Sequence, residues 1–274
     1  MSVADGTGTS VVTRSAGSAD MPAFGVGRSP TRHDNLWRLG LVGALLLGWL
    51  VVARTSDLVP PLGATLSMLV EGFTAGWIYE HLYATGQSVL TGFFVAAALG
   101  FPLGYALGRS QLLGAIFDPL VAGAFAIPRI IFFPILLQVF GVGVGAQASM
   151  AALAAFFPIL VTTTAGVREV NPLLTKLGRS LCLNPVQMVT KIFIPAAAPS
   201  LMVGLRIGFS IAFINVIIAE FFAAKDGLGL LTLRAYGRLD LEQMYAMVVL
   251  IMLIALAGNI ALWFLEKRLR RSAV

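Results

Sequence analysis

Residues 171–199, NPLLTKLGRSLCLNPVQMVTKIFIPAAAP, form the one long polar interruption in an otherwise membrane-like chain. They read as two short helices in series. Asn171-Pro172 and Asn184-Pro185 each supply a side-chain acceptor at an N-cap and a proline at the first helical position, where its missing N–H costs nothing. Gln187, three residues after Asn184, can reach back to complete a capping box. Val186, Met188, Val189, Ile192 and Phe193 make an apolar stripe at helical spacing. Pro195 and Pro199 are expected to end this second helix. At about 1.5 Å per residue it is then about 14 Å long, too short to cross a bilayer, so its apolar face must dock elsewhere.

The rest of the chain sets the context for that element. With 58% hydrophobic and 12% charged residues and a mean hydropathy of +0.88, the composition lies far from soluble domains, which carry about 25% charged residues. The fold class expected is an all-α integral membrane protein of about six transmembrane helices. The net charge of +6 does not point to nucleic acid, because the basic residues gather at the ends and in loops without interleaved aromatics. The lone Cys182 excludes an internal disulfide and a Cys-rich metal site, and His33 and His81 stand apart, so no metal or other cofactor is expected.

Residues 1–35, rich in Gly, Ser, Thr and Ala, are expected to be a disordered cytoplasmic tail ahead of a transmembrane domain at 36–271. The uncharged runs place spans at 36–53, 82–108, 119–140, 146–167, 201–222 and 244–265, the third with breaks at Pro128, Arg129 and Pro134 in its interior. The paired-helix element at 171–199 falls between the fourth and fifth. Segment 55–81, with Pro60-Pro61, Glu71, Glu80 and His81, is expected outside, where 62–73 could lie as an amphipathic helix on the surface. Arg109, Arg168, Lys176, Arg179, Lys191 and the basic carboxyl end share one side, against Arg54, Lys225, Arg234 and Arg238 on the other. The positive-inside pattern therefore places both termini and residues 171–199 in the cytoplasm of a multi-pass cell-membrane protein.

The same stretch resembles the coupling motif of ABC importer permeases, E-A-A-x3-G-x9-I-x-L-P. Lys176-Leu177-Gly178 stand at E-A-A, Cys182 at the glycine and Ile192-Phe193-Ile194-Pro195 at I-x-L-P. Asp118-Pro119, Ile127-Pro128-Arg129, Phe133-Pro134, Phe140-Gly141-Val142-Gly143, Ala219-Glu220 and Gly227-Leu228-Gly229 are similar to the nitrate, sulfonate and taurine branch of that family. The resemblance implies a transmembrane subunit that forms the path for a small solute, a sulfonate, nitrate or thiamine-type precursor. It also implies a separate ATPase, an extracytoplasmic substrate-binding protein and a second permease copy in the lipid bilayer. Lys176, Cys182, Asn184, Pro185, Val186, Gln187, Val189, Ile192 and Pro195 are then the residues that meet the ATPase. Two positions depart from the motif: Lys176 reverses the charge of the acid, and Cys182 replaces the glycine. A non-glycine residue holds that turn easily at negative φ, whereas a left-handed turn costs about 1 kcal/mol. Cys182 is expected to be a small packed side chain.

No G-x4-G-K-[ST] occurs anywhere, so any ATP is held by the partner and the chain is expected to be non-catalytic. Arg129, between Pro128 and Pro134, lies mid-span in this reading; it either lines the solute path or pairs with a buried carboxylate or carbonyl. Glu220 is the other pathway candidate, with a fold-stabilising or gating role as its alternative. A secondary transporter or channel without an ATPase is the alternative for the whole chain. It would call for intramembrane carboxylates or an inverted repeat, and neither is visible.

Overall fold

The computed structural model describes residues 32–56 and 58–272, and the described residues contain helices and turns but no strand. By its internal contacts the chain forms two units, one ending at Trp49 and the other running from Leu50 onwards. The first helix, α1 (Arg32–Thr55), carries the uncharged run expected as the first span. It starts inside the stretch assigned to the tail, and the remainder of that stretch lies outside the described residues.

The second unit is built around α6 (Val144–Arg168), of whose most apolar window 61% is buried, against 6% for α11 (Leu241–Ser272). Two helices clasp it, α3 (Trp77–Arg109) and α9 (Ile194–Phe222). Small residues set the distance. A Cβ would come within 2.9 Å of Ile159 Cγ2 at Gly100, 2.7 Å of Thr163 Cβ at Gly104, and 2.7 Å of Val167 Cβ at Gly108. The same Ile159 meets α9 as well, where a Cβ at Gly208 would sit 2.8 Å from its Cγ1. Backbones in such contact gain dispersion energy where lipid offers no hydrophobic drive for helix association. Polar side chains add to the α3–α6 seam, since the buried Ser88 hydroxyl donates to Gln147 Oε1 at 2.8 Å.

Around this trio lie α2 (Leu62–Ala75), α10 (Leu228–Gly237) and α11, which pack on one another and on α3 and α9. Gly76, at φ +84°, ends α2 and opens α3. The expected surface helix at 62–73 therefore exists, with Thr65, Leu69 and Gly72 buried. Glu80 and His81, placed in the preceding loop by sequence, belong to the first turns of α3.

Two expectations about prolines fare differently. The third span, expected to carry breaks at Pro128, Arg129 and Pro134, has them: α4 (Gln111–Ala126) and α5 (Phe133–Phe140) are joined through a 3-10 turn, Arg129–Phe132, and the pair bends by 85°. Pro128 and Pro134 both lack an N–H, and the residue before a proline is disfavoured in helical geometry, so two prolines this close open the chain where one would only kink it. Second, Pro195 and Pro199 do not end the second helix of the pair. α8 (Pro185–Met188) passes through a π-turn, Val189–Phe193, straight into α9. The π-turn widens the ring by one residue, with the Ile194 N–H donating to the Val189 carbonyl, which relieves the clash of a proline ring with the preceding turn. Four helices among the described residues are long and apolar enough to cross a membrane, or five if the bent pair counts as one, where about six spans were expected.

Candidate functional site

The paired-helix element forms as the sequence indicates. The Asn171 side chain accepts from the Leu173 N–H at 2.9 Å and caps α7 (Pro172–Ser180). Asn184 Oδ1 accepts from the Gln187 N–H at 2.8 Å while Gln187 Oε1 accepts from the Asn184 N–H at 3.1 Å, a complete capping box. Between them α7 closes with the Leu183 N–H on the Gly178 carbonyl and the Cys182 N–H on the Arg179 carbonyl. This is a Schellman arrangement, and it demands a left-handed residue at Cys182. Cys182 has φ +52° and is exposed, so the packed-side-chain expectation is wrong: the thiol points out, and the residue occupies the conformation that the family's glycine suits. Gly178 explains the small residue of the motif instead, since a Cβ there would meet Met188 Sδ and Cε at 2.8 Å.

The expected apolar stripe divides in two. Met188, Val189 and Ile192 turn inward, and Phe193 is buried edge-on to Tyr105 of α3 with the Arg109 guanidinium 5.8 Å from its ring centre. Val186 is 70% exposed and joins Leu173, Leu177 and Leu181 as apolar side chains facing out. A helical period alone cannot tell which half of a wide stripe meets the protein's own helices. Lys176 is exposed along a cleft between α7 and the ends of α3 and α6, Pro185 is exposed at the start of α8, and Pro195 is exposed at the start of α9.

The break between α4 and α5 carries Arg129. It lies at a helix end and not ten residues deep in a straight span. Its Nη2 donates to the Phe125 carbonyl at 3.1 Å, and the guanidinium sits 4.8 Å from the Phe125 ring centre and 5.6 Å from that of Phe157 on α6. Nε is buried without a hydrogen-bond partner. Of the two pairings considered from sequence, the carbonyl is present, and among the described residues no carboxylate pairs with this cation. Pro128 precedes the 3-10 turn and Pro134 opens α5, both exposed beside it.

Glu220 is fully buried near the end of α9. Its Oε2 accepts from the Gly229 N–H at 2.7 Å and its Oε1 from the Thr85 hydroxyl at 2.8 Å; Thr85 Oγ1 in turn accepts from the Leu228 N–H at 2.9 Å. His81 Nδ1 accepts from the Gly227 N–H at 3.0 Å. Gly227 has φ +141°, and a Cβ there would lie 2.5 Å from Glu220 Oε1, so only glycine fits. The carboxylate thus ties the start of α10 to α3 and α9. In this arrangement it has no free face toward a solute path. Sequence reading paired Glu220 with Gly227 and Gly229 but missed Thr85 and His81, which no local pattern connects to them. It also missed that Asp118 pairs with Arg168, at 2.9 Å.

A family model described as the binding-protein-dependent transport system inner membrane component matches residues 96–271. The taurine transport system permease protein TauC of Escherichia coli (strain K12) is 29% identical over 251 residues, 88% of this chain and 91% of that protein. The putative aliphatic sulfonates transport permease protein SsuC of Bacillus subtilis (strain 168) is 25% identical over 253 residues, 90% of this chain and 92% of that protein. Among solved structures, an inward-facing MetNI methionine ABC transporter superposes with a TM-score of 0.60 at 20% identity, covering 72% of this chain and 96% of that one, and so shares the fold. With well over half of its length matched by the family model, the chain belongs to the family of binding-protein-dependent transport system inner membrane components, the permease subunits of ABC importers.

Proposed function

We propose that the chain forms the path for a small sulfonate-like anion and that a separate ATPase drives this path through α7 and α8. The observation that carries the reading is the continuity of the element with the core: α7 follows directly from α6, and α8 runs without interruption into α9. A partner that grips the outward side chains Leu173, Leu177, Leu181 and Val186 moves α6 and α9, which pack against each other in the core of the bundle. Helix-in-groove docking supplies such a grip. The ATPase holds the nucleotide, because this chain has no phosphate loop, and the coupling end of the bundle is cytoplasmic, as its cluster of Arg109, Arg168, Lys176 and Arg179 favours. An extracytoplasmic binding protein delivers the solute to the α10 end, and a second copy of the chain completes the path.

The substrate class rests on two supports. The relatives are named for taurine and aliphatic sulfonates. In this chain Arg129 presents a cation without a carboxylate at the break between α4 and α5, its Nε buried and without a hydrogen-bond partner, and an ionisable residue among membrane-crossing helices favours a functional role. The test is uptake into vesicles holding the chain with its ATPase and binding protein. Taurine or an alkyl sulfonate should enter only with ATP, and Arg129→Gln should cut uptake at least tenfold while the complex stays assembled and hydrolyses ATP. Full uptake in that variant would leave Arg129 as a structural residue and remove the main structural support for an anion.

A further inference from the structure

At the coupling end of the bundle, a cleft of about 630 Å³ opens between α7 and the ends of α3, α4 and α6. Arg109, Arg168, Lys176 and Arg179 line it, with Asp118 as its one carboxylate. Asp118 is already taken by Arg168, and a Cβ at Gly114 would collide with that same guanidinium, so Arg168 is held in place from two sides. Among the described residues Arg109, Lys176 and Arg179 make no ion pair. The cleft therefore carries uncompensated positive charge.

A second cavity shares the Asp118–Arg168 pair. This groove, about 430 Å³, leaves the cleft along α4 and α6, is lined by Val121, Ala122, Leu160 and Val161 among others, and ends at Phe125. From Asp118 to Phe125 along α4 is about 10 Å at 1.5 Å per residue. A basic cleft at the ends of membrane-crossing helices, continuous with an apolar groove that runs toward the membrane interior, has the shape and polarity of one amphipathic ligand. We infer that the cleft and groove together hold an anionic phospholipid of the cytoplasmic leaflet, its phosphate among Arg109, Lys176 and Arg179 and part of one acyl chain between α4 and α6. An acidic loop of a protein partner or a free anion would match the charge but leave the groove unfilled. Basic pockets between helices at the cytoplasmic surface recognise such headgroups by charge and hydrogen bonding. The inference relies on the proposed orientation only to name the leaflet. Because α7 forms one wall, the lipid would brace the coupling element against α3 and α6.

The test uses the full chain in detergent, stripped of lipid, then titrated with phosphatidylglycerol or with phosphatidylcholine of the same chains and followed by native mass spectrometry. One phosphatidylglycerol per chain should survive activation that removes phosphatidylcholine. Arg109→Gln/Lys176→Gln/Arg179→Gln should lower its retention at least tenfold, Arg109→Lys/Lys176→Arg should keep it, and Val121→Trp should lower it several-fold by filling the groove. The lipid should remain when the ATPase is added. Equal retention of both lipids, or wild-type retention in the triple variant, would overturn the inference. Should the triple variant fail to fold, the charge-conserving pair and Val121→Trp still decide. Displacement by inorganic pyrophosphate with no effect of Val121→Trp would show a free-anion site instead, and loss of the lipid on ATPase binding would show a protein contact. Binding in detergent is independent of topology, so an inverted orientation would leave the result standing.

Discussion

Single residues in this chain carry costs that the surrounding structure accepts. Cys182 and Leu239 both occupy left-handed backbone, at φ +52° and +58°, and both do so for the same reason. At the end of α10 the Asp240 N–H reaches the Ala235 carbonyl and the Leu239 N–H the Tyr236 carbonyl, repeating the closing pattern of α7. A side chain in that conformation costs about 1 kcal/mol relative to glycine. Cys182→Gly and Leu239→Gly should therefore each stabilise the purified chain by about 0.5–1 kcal/mol, read as a higher unfolding midpoint in detergent; a lower midpoint would mean that the side chains make contacts outweighing the backbone strain. The motif legible in the sequence predicted the turn, but the sign of φ is set by hydrogen bonds that close only when α7 ends at Ser180. At the other end of the bundle, Thr85 is buried and both donates to Glu220 and accepts from Leu228. Thr85→Val keeps the shape and orphans both groups, so it should cost about 1–3 kcal/mol and lower the melting temperature more than Thr55→Val, where the hydroxyl is exposed and bonds only within its own helix.

At the scale of elements, the caps were readable and the joints were not. Asn171-Pro172 and Asn184-Pro185 announce helix starts through local chemistry, and both caps close as expected. Pro195 and Pro199 carry an equally local signal, yet α9 runs through them, because a π-turn absorbs the first and the helix tolerates the second within a packed bundle. Conversely, the pair Pro128 and Pro134 breaks its span outright. The division of the apolar stripe likewise depends on where α3 and α7 stand, which only the assembled bundle determines. It has a direct consequence for coupling. Val186 faces out and Val189 is half-buried, so Val186→Asp should leave the chain's stability within about 0.5 kcal/mol of wild type while abolishing co-purification of the ATPase. Val189→Asp should lower stability by several kcal/mol by burying a charge. If Val186→Asp still captures the ATPase, the outward apolar face is not the docking surface.

For the molecule as a whole, the spacing of apolar runs gave the order of elements, and the glycines of α3 marked the helix contacts, but the centrality of α6 emerges only from three-dimensional packing. Its sequence is less apolar than that of α9 or α11; what distinguishes it is that small residues on α3 and α9 let both approach it at once. The same packing sorts the charges. α9 separates α8 from α10, so the coupling element with Arg109, Arg168, Lys176 and Arg179 lies at one end, and Glu220, Asp226 and Tyr236 lie at the other. α11 runs back from the α10 end, and Glu266 near its close approaches Arg206 of α9 to 3.7 Å, which returns the described carboxyl-terminal residues to the coupling side. The orientation proposed above puts these basic residues on the cytoplasmic side, where such residues are retained during insertion. An epitope tag at Lys191 and another after Val274 should therefore be protected in intact cells, whereas one at the exposed Tyr236 should react with an impermeant reagent from outside. Labelling of the Lys191 tag with protection of the Tyr236 tag would invert the molecule, and a coupling element on the outer face would have no access to an ATPase supplied with cytoplasmic ATP. Labelling of both the Lys191 and Val274 tags with the Tyr236 tag would mean that neither α9 nor α11 crosses the membrane, against the length and apolar character of both helices.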